Sequence, residues 1–294
     1  MLIDIHTHAH HRRTIFPDAG IDYPTSAQVV AMMDAAGIDK AVMLSHMSPE
    51  GAWRYVPPEE VLAICEEHPG RFIPFMNLDP RMAENSPTAK FGPMLEYYKA
   101  AGCRGVGEYV ANLPFDDPLQ LNVFHQVEDA RLPLIFHISP TIGGTYGCYD
   151  DLGLPRLEKV LKECPNLKLL GHSQPFWAEI SADVTNETRN SYPSGMVTPG
   201  RVVELMRKYP NLCGDLSAGS GCNAITRDMD FGCAFLEEFQ DRLFFGTDIC
   251  HEKQDLPQAP LFERLRRERL ISQEAYEKIT WRNANALLRL GLQQ

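Results

Sequence analysis

Short apolar or β-branched runs recur along the chain, each followed by a stretch with helical periodicity, and this alternation limits the fold more than any other feature. The runs are Leu2 to His6, Lys40 to Ser45, Arg71 to Asn77, Cys103 to Glu108, Pro133 to His137, Leu167 to Gly171, Leu212 to Asp215 and Arg242 to Gly246. Most carry apolar residues at successive positions, as strands of a parallel sheet buried on both faces do. The helical stretches between them have recognisable ends. Thr25-Ser26 precedes Val29 to Ala36, which stops at Gly37, and Pro57-Pro58 opens Glu59 to Glu67, which closes at Pro69-Gly70. Eight βα units in 294 residues predict a distorted (β/α)8 TIM barrel, whose usual size is about 250 residues, spanning 1–294 as one domain.

Two segments exceed the repeating unit, Ser139 to Gly153 and Phe176 to Pro199. Connections of this length in a compact domain are uncommon and usually either shape a site or are disordered. The stretch from Glu263 to Leu292 has strong helical character and is expected to pack across the barrel exterior. A formal net charge of -11 argues against a nucleic-acid or anionic-membrane surface, either of which needs a basic field. Eight cysteines without a CxxC pair read as reduced thiols of a cytoplasmic protein, and neither a leader nor a membrane-spanning apolar run is seen in the sequence. The expected partner is a small-molecule substrate, with homo-oligomerisation open.

Chemically competent side chains cluster at the C-terminal ends of the expected strands, the face on which barrel enzymes carry their sites. His6 and His8 end the first, Glu108 the fourth and His137 the fifth, while His172 follows the sixth and Asp248 the eighth. Residues two apart in a strand share a side, so His6 and His8 can both enter the barrel mouth while Thr7 turns away. Four imidazoles and two carboxylates suit one or two ions of a divalent metal such as Zn2+. Singly, each residue has a plainer reading, since a lone buried histidine is more commonly a hydrogen-bonded core residue. Their joint placement at one end of one sheet is what points to a site. His68 and His125, at or inside helices, read as structural; His10, His11, His46 and His251 lie in or near strand-following loops. Tyr109, Tyr146, Trp177 and His251 are the expected substrate contacts, and Arg12, Arg13 and Arg54 could meet a substrate carboxylate.

Ile-Asp-Ile-His6-Thr-His8, Leu-Ile-Phe-His137, Leu-Leu-Gly-His172, Phe-Gly-Thr-Asp248 and the closing helix with Arg282-Asn283-Ala284 together resemble the amidohydrolase superfamily, in its amidohydrolase-related (amidohydrolase 2) branch. The resemblance covers nearly the whole chain. It implies a distorted barrel with divalent metal on His6, His8, His137 and Asp248, and His172 as a further ligand or acid/base group. Glu108 departs from the carbamylated lysine that many binuclear relatives carry on strand four. Gly105-Val-Gly107-Glu108 is similar instead to the strand-four glutamate of TatD-like deoxyribonucleases, where a carboxylate bridges two metals. The acidic charge and the surrounding sequence do not match a nuclease of that kind.

The resulting expectation is hydrolysis of an amide, ester or lactone by metal-bound hydroxide, with Asp248 and His172 as catalytic residues. The alternative is zinc-dependent non-oxidative decarboxylation or hydration of a small aromatic or unsaturated acid. A non-catalytic binding barrel is the remaining reading.

Overall fold

The computed structural model describes residues 1–11 and 23–293. Its strands are β1 (Ile3–Thr7), β2 (Lys40–Met43), β3 (Phe72–Pro74), β4 (Val106–Tyr109), β5 (Leu134–Ser139), β6 (Cys148–Tyr149), β7 (Leu169–His172), β8 (Leu212–Asp215) and β9 (Leu243–Phe244). All but β6 fall on the apolar runs of the sequence. β1, β2 and β3 pair in parallel, as do β4, β5, β7, β8 and β9 in that order. Parallel bridges between Met76 and Val106 and between Thr7 and Ile249 join the two sets, so eight strands close into a barrel. β6 is an extra strand inside the 139–153 connection and pairs with the end of β5.

Alternation along the strands decides what faces the barrel axis. Val42 and Leu44 of the second strand run, Ile73 and Phe75 of the third, Ile135, Leu170 and Cys213 form one buried cluster inside the barrel. Continuing the same parity toward the mouth brings His46, Asn77, His137, His172 and Asp215 inward. Two strands break the parity. The register of β1 against β2 shifts between Asp4 and Thr7, and that of β4 against β5 shifts between Val106 and Tyr109. Such irregularities re-aim side chains, here carrying His6, His8 and Glu108 into the mouth. At Gly107 the backbone has φ +148, and a Cβ there would lie 3.0 Å from the Ile135 carbonyl oxygen, so the β4 irregularity depends on glycine.

The C-terminal segment is helical as expected, but it is broken into pieces and its end packs into the barrel interior instead of only across the exterior. It divides into helices Gln258–Arg267 and Gln273–Glu277, a π-helical turn Lys278–Arg282 and a short helix Asn283–Leu287. The Ser272 side chain caps the second of these by accepting from Ala275 N. Trp281, Ala284 and Leu288 then join the interior cluster of Ile3, Ile5 and Phe244, closing the end of the barrel opposite the site.

The two long connections are tied together below their surface. Arg189, fully buried, donates to the Asp150 carbonyl at 2.9 Å and pairs with Glu179 at 2.8 Å. Glu179 also accepts from Gly153 N at 2.8 Å. Burial pushes the Glu179 carboxyl up to about 7, against the Arg189 charge. The eight cysteines are all free, and among the described residues no helix is long and apolar enough to cross a membrane.

Candidate metal centre

The six expected ligands converge. His6 Nε2 and His8 Nε2 lie 3.0 Å apart, and Asp248 Oδ1 is 3.5 Å from each. Across the mouth, His137 Nδ1 is 2.8 Å from Glu108 Oε1, and His172 Nε2 is 3.9 Å from the same oxygen. Glu108 connects the groups through its other oxygen, Oε2, at 3.5 Å from His8 and 3.9 Å from His6. The two carboxylate oxygens therefore face two different clusters, His6–His8–Asp248 and His137–His172.

Asp215 is the member that strand-end reasoning overlooked. At the end of β8 it shares the inward face with Cys213, and it is wholly buried. Its Oδ2 is 2.6 Å from His6 Nδ1 and 3.2 Å from His172 Nδ1, and Ser217 Oγ adds a 3.0 Å contact to the latter nitrogen. With Nδ1 engaged by a carboxylate, each ring turns its Nε2 to the mouth, the orientation a metal ligand needs. Trp177 braces the backbone of this residue from outside the barrel, donating Nε1–H to the Asp215 main-chain carbonyl at 2.8 Å. Asp4 performs a similar service at the foot of β1, accepting from His6 N and Thr247 N, both at 3.0 Å.

Electrostatics separate the groups. Burial would lower the His6 imidazole, yet Asp215, Asp248 and Glu108 outweigh it and raise its pKa to about 10. His8 goes the other way, held well below the usual histidine value by burial and the neighbouring His6. Burial would raise the Glu108 carboxyl, but His137, His6 and His172 hold it well below the ordinary carboxylate range. Asp248 is raised, chiefly by burial. Its backbone has φ +56, a left-handed conformation that aspartate tolerates better than most residues.

The donor set fits a divalent transition metal. Bonds of about 2.1 Å at tetrahedral angles put donor atoms about 3.4 Å apart, close to the spacing of His6, His8 and Asp248. Buried Glu108 and Asp215 and the partly exposed Asp248 gather negative charge around the imidazoles that a cation would offset.

The remaining expectations divide. Tyr146 covers the mouth, its ring 4.8 Å from that of His137 and 5.5 Å from that of His46. Tyr109 lies elsewhere: next to inward Glu108 it points outward and packs in the core against Phe124, with ring centroids 5.3 Å apart. Trp177 is likewise buried among Phe176 and Phe235, beneath the site and not on its wall. His251 lies just past Asp248, outside the converging groups. His11 pairs with Glu67 at 3.3 Å and His10 approaches Glu60 at 3.7 Å, both away from the donors. Arg54 stands at the mouth with its guanidinium 6.0 Å from the Tyr23 ring centre and 5.9 Å from that of Tyr146. Arg12 and Arg13 lie outside the described residues. Tyr23, stacked on His8 at 4.8 Å, and His46 are further mouth residues not singled out as contacts.

A closed eight-stranded barrel with imidazole and carboxylate groups gathered at the C-terminal mouth places this chain among the TIM-barrel proteins. More narrowly, it belongs to the amidohydrolase family Amidohydro_2, which matches residues 3–290. No curated protein matches it in sequence. Its fold is similar to that of an uncharacterized TIM-barrel protein from Bordetella bronchiseptica, with TM-score 0.66, 20% identity and 98% of each chain covered. It is also similar to a probable 2-pyrone-4,6-dicarboxylic acid hydrolase from Acinetobacter baumannii, at TM-score 0.61 and 14% identity over 98% of this chain and 99% of that one. A dihydroxybenzoic acid decarboxylase from Polaromonas sp. JS666, holding manganese and the inhibitor 2-nitroresorcinol, aligns at TM-score 0.55 and 19% identity, covering 90% and 86%.

Proposed function

We propose that this protein is a metal-dependent hydrolase of a small amide, ester or lactone that also carries a carboxylate. The observation that carries the reading is Glu108, whose two oxygens face separate histidine groups, an arrangement suited to two cations, most simply Zn2+. Divalent ions held there would supply Lewis acidity toward a carbonyl and lower the pKa of bound water.

The protein's own groups then have separate tasks. Asp248 faces the mouth with its side chain 21% exposed, where its carboxylate can take a proton and pass it to a leaving group. His172, its Nδ1 engaged below, turns Nε2 toward the mouth, where it can stabilise negative charge developing on the substrate oxygen. Arg54 has no carboxylate within ion-pair distance among the described residues, so its guanidinium is available to a substrate carboxylate.

A second reading, decarboxylation of a small aromatic acid, is favoured by one observation: Arg54 sits between the rings of Tyr23 and Tyr146, which together suit a planar anion. The relatives include both kinds of enzyme. The deciding experiment offers metal-loaded protein a carboxylated lactone and a hydroxybenzoic acid, recording acid production and carbon dioxide separately. Ring opening without carbon dioxide release is the expected result. Carbon dioxide release from the aromatic acid alone would establish the second reading, and turnover by metal-free protein would contradict both.

A further inference from the structure

Among the described residues, a second convergence of metal-binding side chains lies at the other end of the barrel. His125 and Glu128 are three apart on the helix Pro118–Asp129 and so share a face near its last turn. Cys164 caps the end of the neighbouring helix Pro155–Glu163. Both helices end where a strand is about to begin, which puts the trio on the face opposite the candidate centre. The ligand atoms lie within 4.8 Å of one another.

From these positions we propose that His125, Glu128 and Cys164 form a site for a thiophilic divalent cation of the zinc class, with solvent as the fourth ligand. Cys164 Sγ is 3.5 Å from His125 Nδ1. A metal with bonds of about 2.3 Å to sulfur and 2.0–2.1 Å to nitrogen at a tetrahedral angle requires about 3.6 Å between those atoms. The Glu128 carboxylate is anchored through Oε1, which accepts from Asn166 N at 2.6 Å, and its second oxygen takes no part in that bond. His125 is exposed and Glu128 partly so, giving a cation a route in, while Cys164 supplies a buried thiol. A free cysteine thiol is protonated at neutral pH. Binding therefore releases one proton from sulfur to solvent as the metal–thiolate bond forms. Because it joins the ends of two helices, an ion there acts on stability and not on turnover.

The test uses protein whose active-site metal is already in place, titrated with Cd2+ while ultraviolet thiolate-to-metal absorption and melting temperature are recorded. One saturable equivalent with thiolate absorption, a higher Tm and unchanged turnover is expected. Cys164→Ser should abolish the absorption. His125→Ala, at an exposed position that leaves folding undisturbed, should weaken binding by roughly tenfold or more. Absorption that persists in Cys164→Ser, equal affinity in His125→Ala, or no saturable absorption in the wild type would each overturn the proposal, leaving the Cys164–His125 contact as a hydrogen bond.

Discussion

The two sides of the barrel mouth are built differently. On the β1 side, His6 and His8 are 0% and 2% exposed, and His6 is gripped from behind by Asp215 while Asp4 holds the strand beneath it. On the β5 side, the His137 side chain is 21% exposed, and it meets Glu108, the covering ring of Tyr146 and the ring of His172. His172 lies between them, sharing Asp215 with His6. The first side is therefore pre-set whether or not metal is present, whereas the second depends on Glu108. An ion on the β1 side should resist chelators longer than one on the β5 side.

The largest effect that could break this contrast is at its centre. His6→Ala should remove metal from the β1 side and abolish turnover, while Asp248→Asn should keep the fold and lower kcat by about 10²–10⁴, as loss of a proton-transferring group does. Metal analysis and steady-state kinetics on both variants check this; near-normal turnover in either would undo the assignment. Next in size is Asp215→Asn, which removes the carboxylate orienting two rings and should weaken metal binding by about 10–100-fold. Competition with a graded chelator measures it, and an unchanged affinity would mean that the β1 side is not held from behind.

Smaller again is Arg54→Gln, which should raise KM for a carboxylated substrate by about tenfold or more, from loss of a charge-assisted hydrogen bond of about 1.5–3 kcal/mol, and leave a neutral analogue unaffected. Equal changes for both substrates would remove Arg54 from substrate binding. The smallest effect is expected from Trp177→Phe. It deprives the Asp215 carbonyl of a donor at a cost of about 1–3 kcal/mol in stability, measurable by denaturant unfolding, with little change in turnover.

The same contrast explains what could be read from the sequence. Strands β5, β7 and β8 keep simple alternation, so inward Ile135, Leu170 and Cys213 lead directly to His137, His172 and Asp215. Asp215 was within reach of that rule, but one aspartate at a strand end has no motif to mark it. His6, His8 and Glu108 stand out by residue type although register shifts in β1 and β4 defeat parity there. Tyr109, expected as a substrate contact, illustrates the cost: it follows inward Glu108 and the pleat turns it to the opposite face, into the core. Trp177 sits on the helix Gln174–Ala178, whose packing against β8 is a tertiary matter that no local pattern encodes. The C-terminal helices were legible as helices, but their break before Ser272 and their closure of the barrel follow from the interior cluster they complete.

The central claim is that Glu108 joins two metal positions. Metal content of protein purified without chelators, compared between wild type and Glu108→Ala, tests it most directly. About two ions per chain falling to about one, with the remaining ion lost only on further mutation of His6, is the predicted result. One ion per chain in both proteins, or two in both, would contradict it.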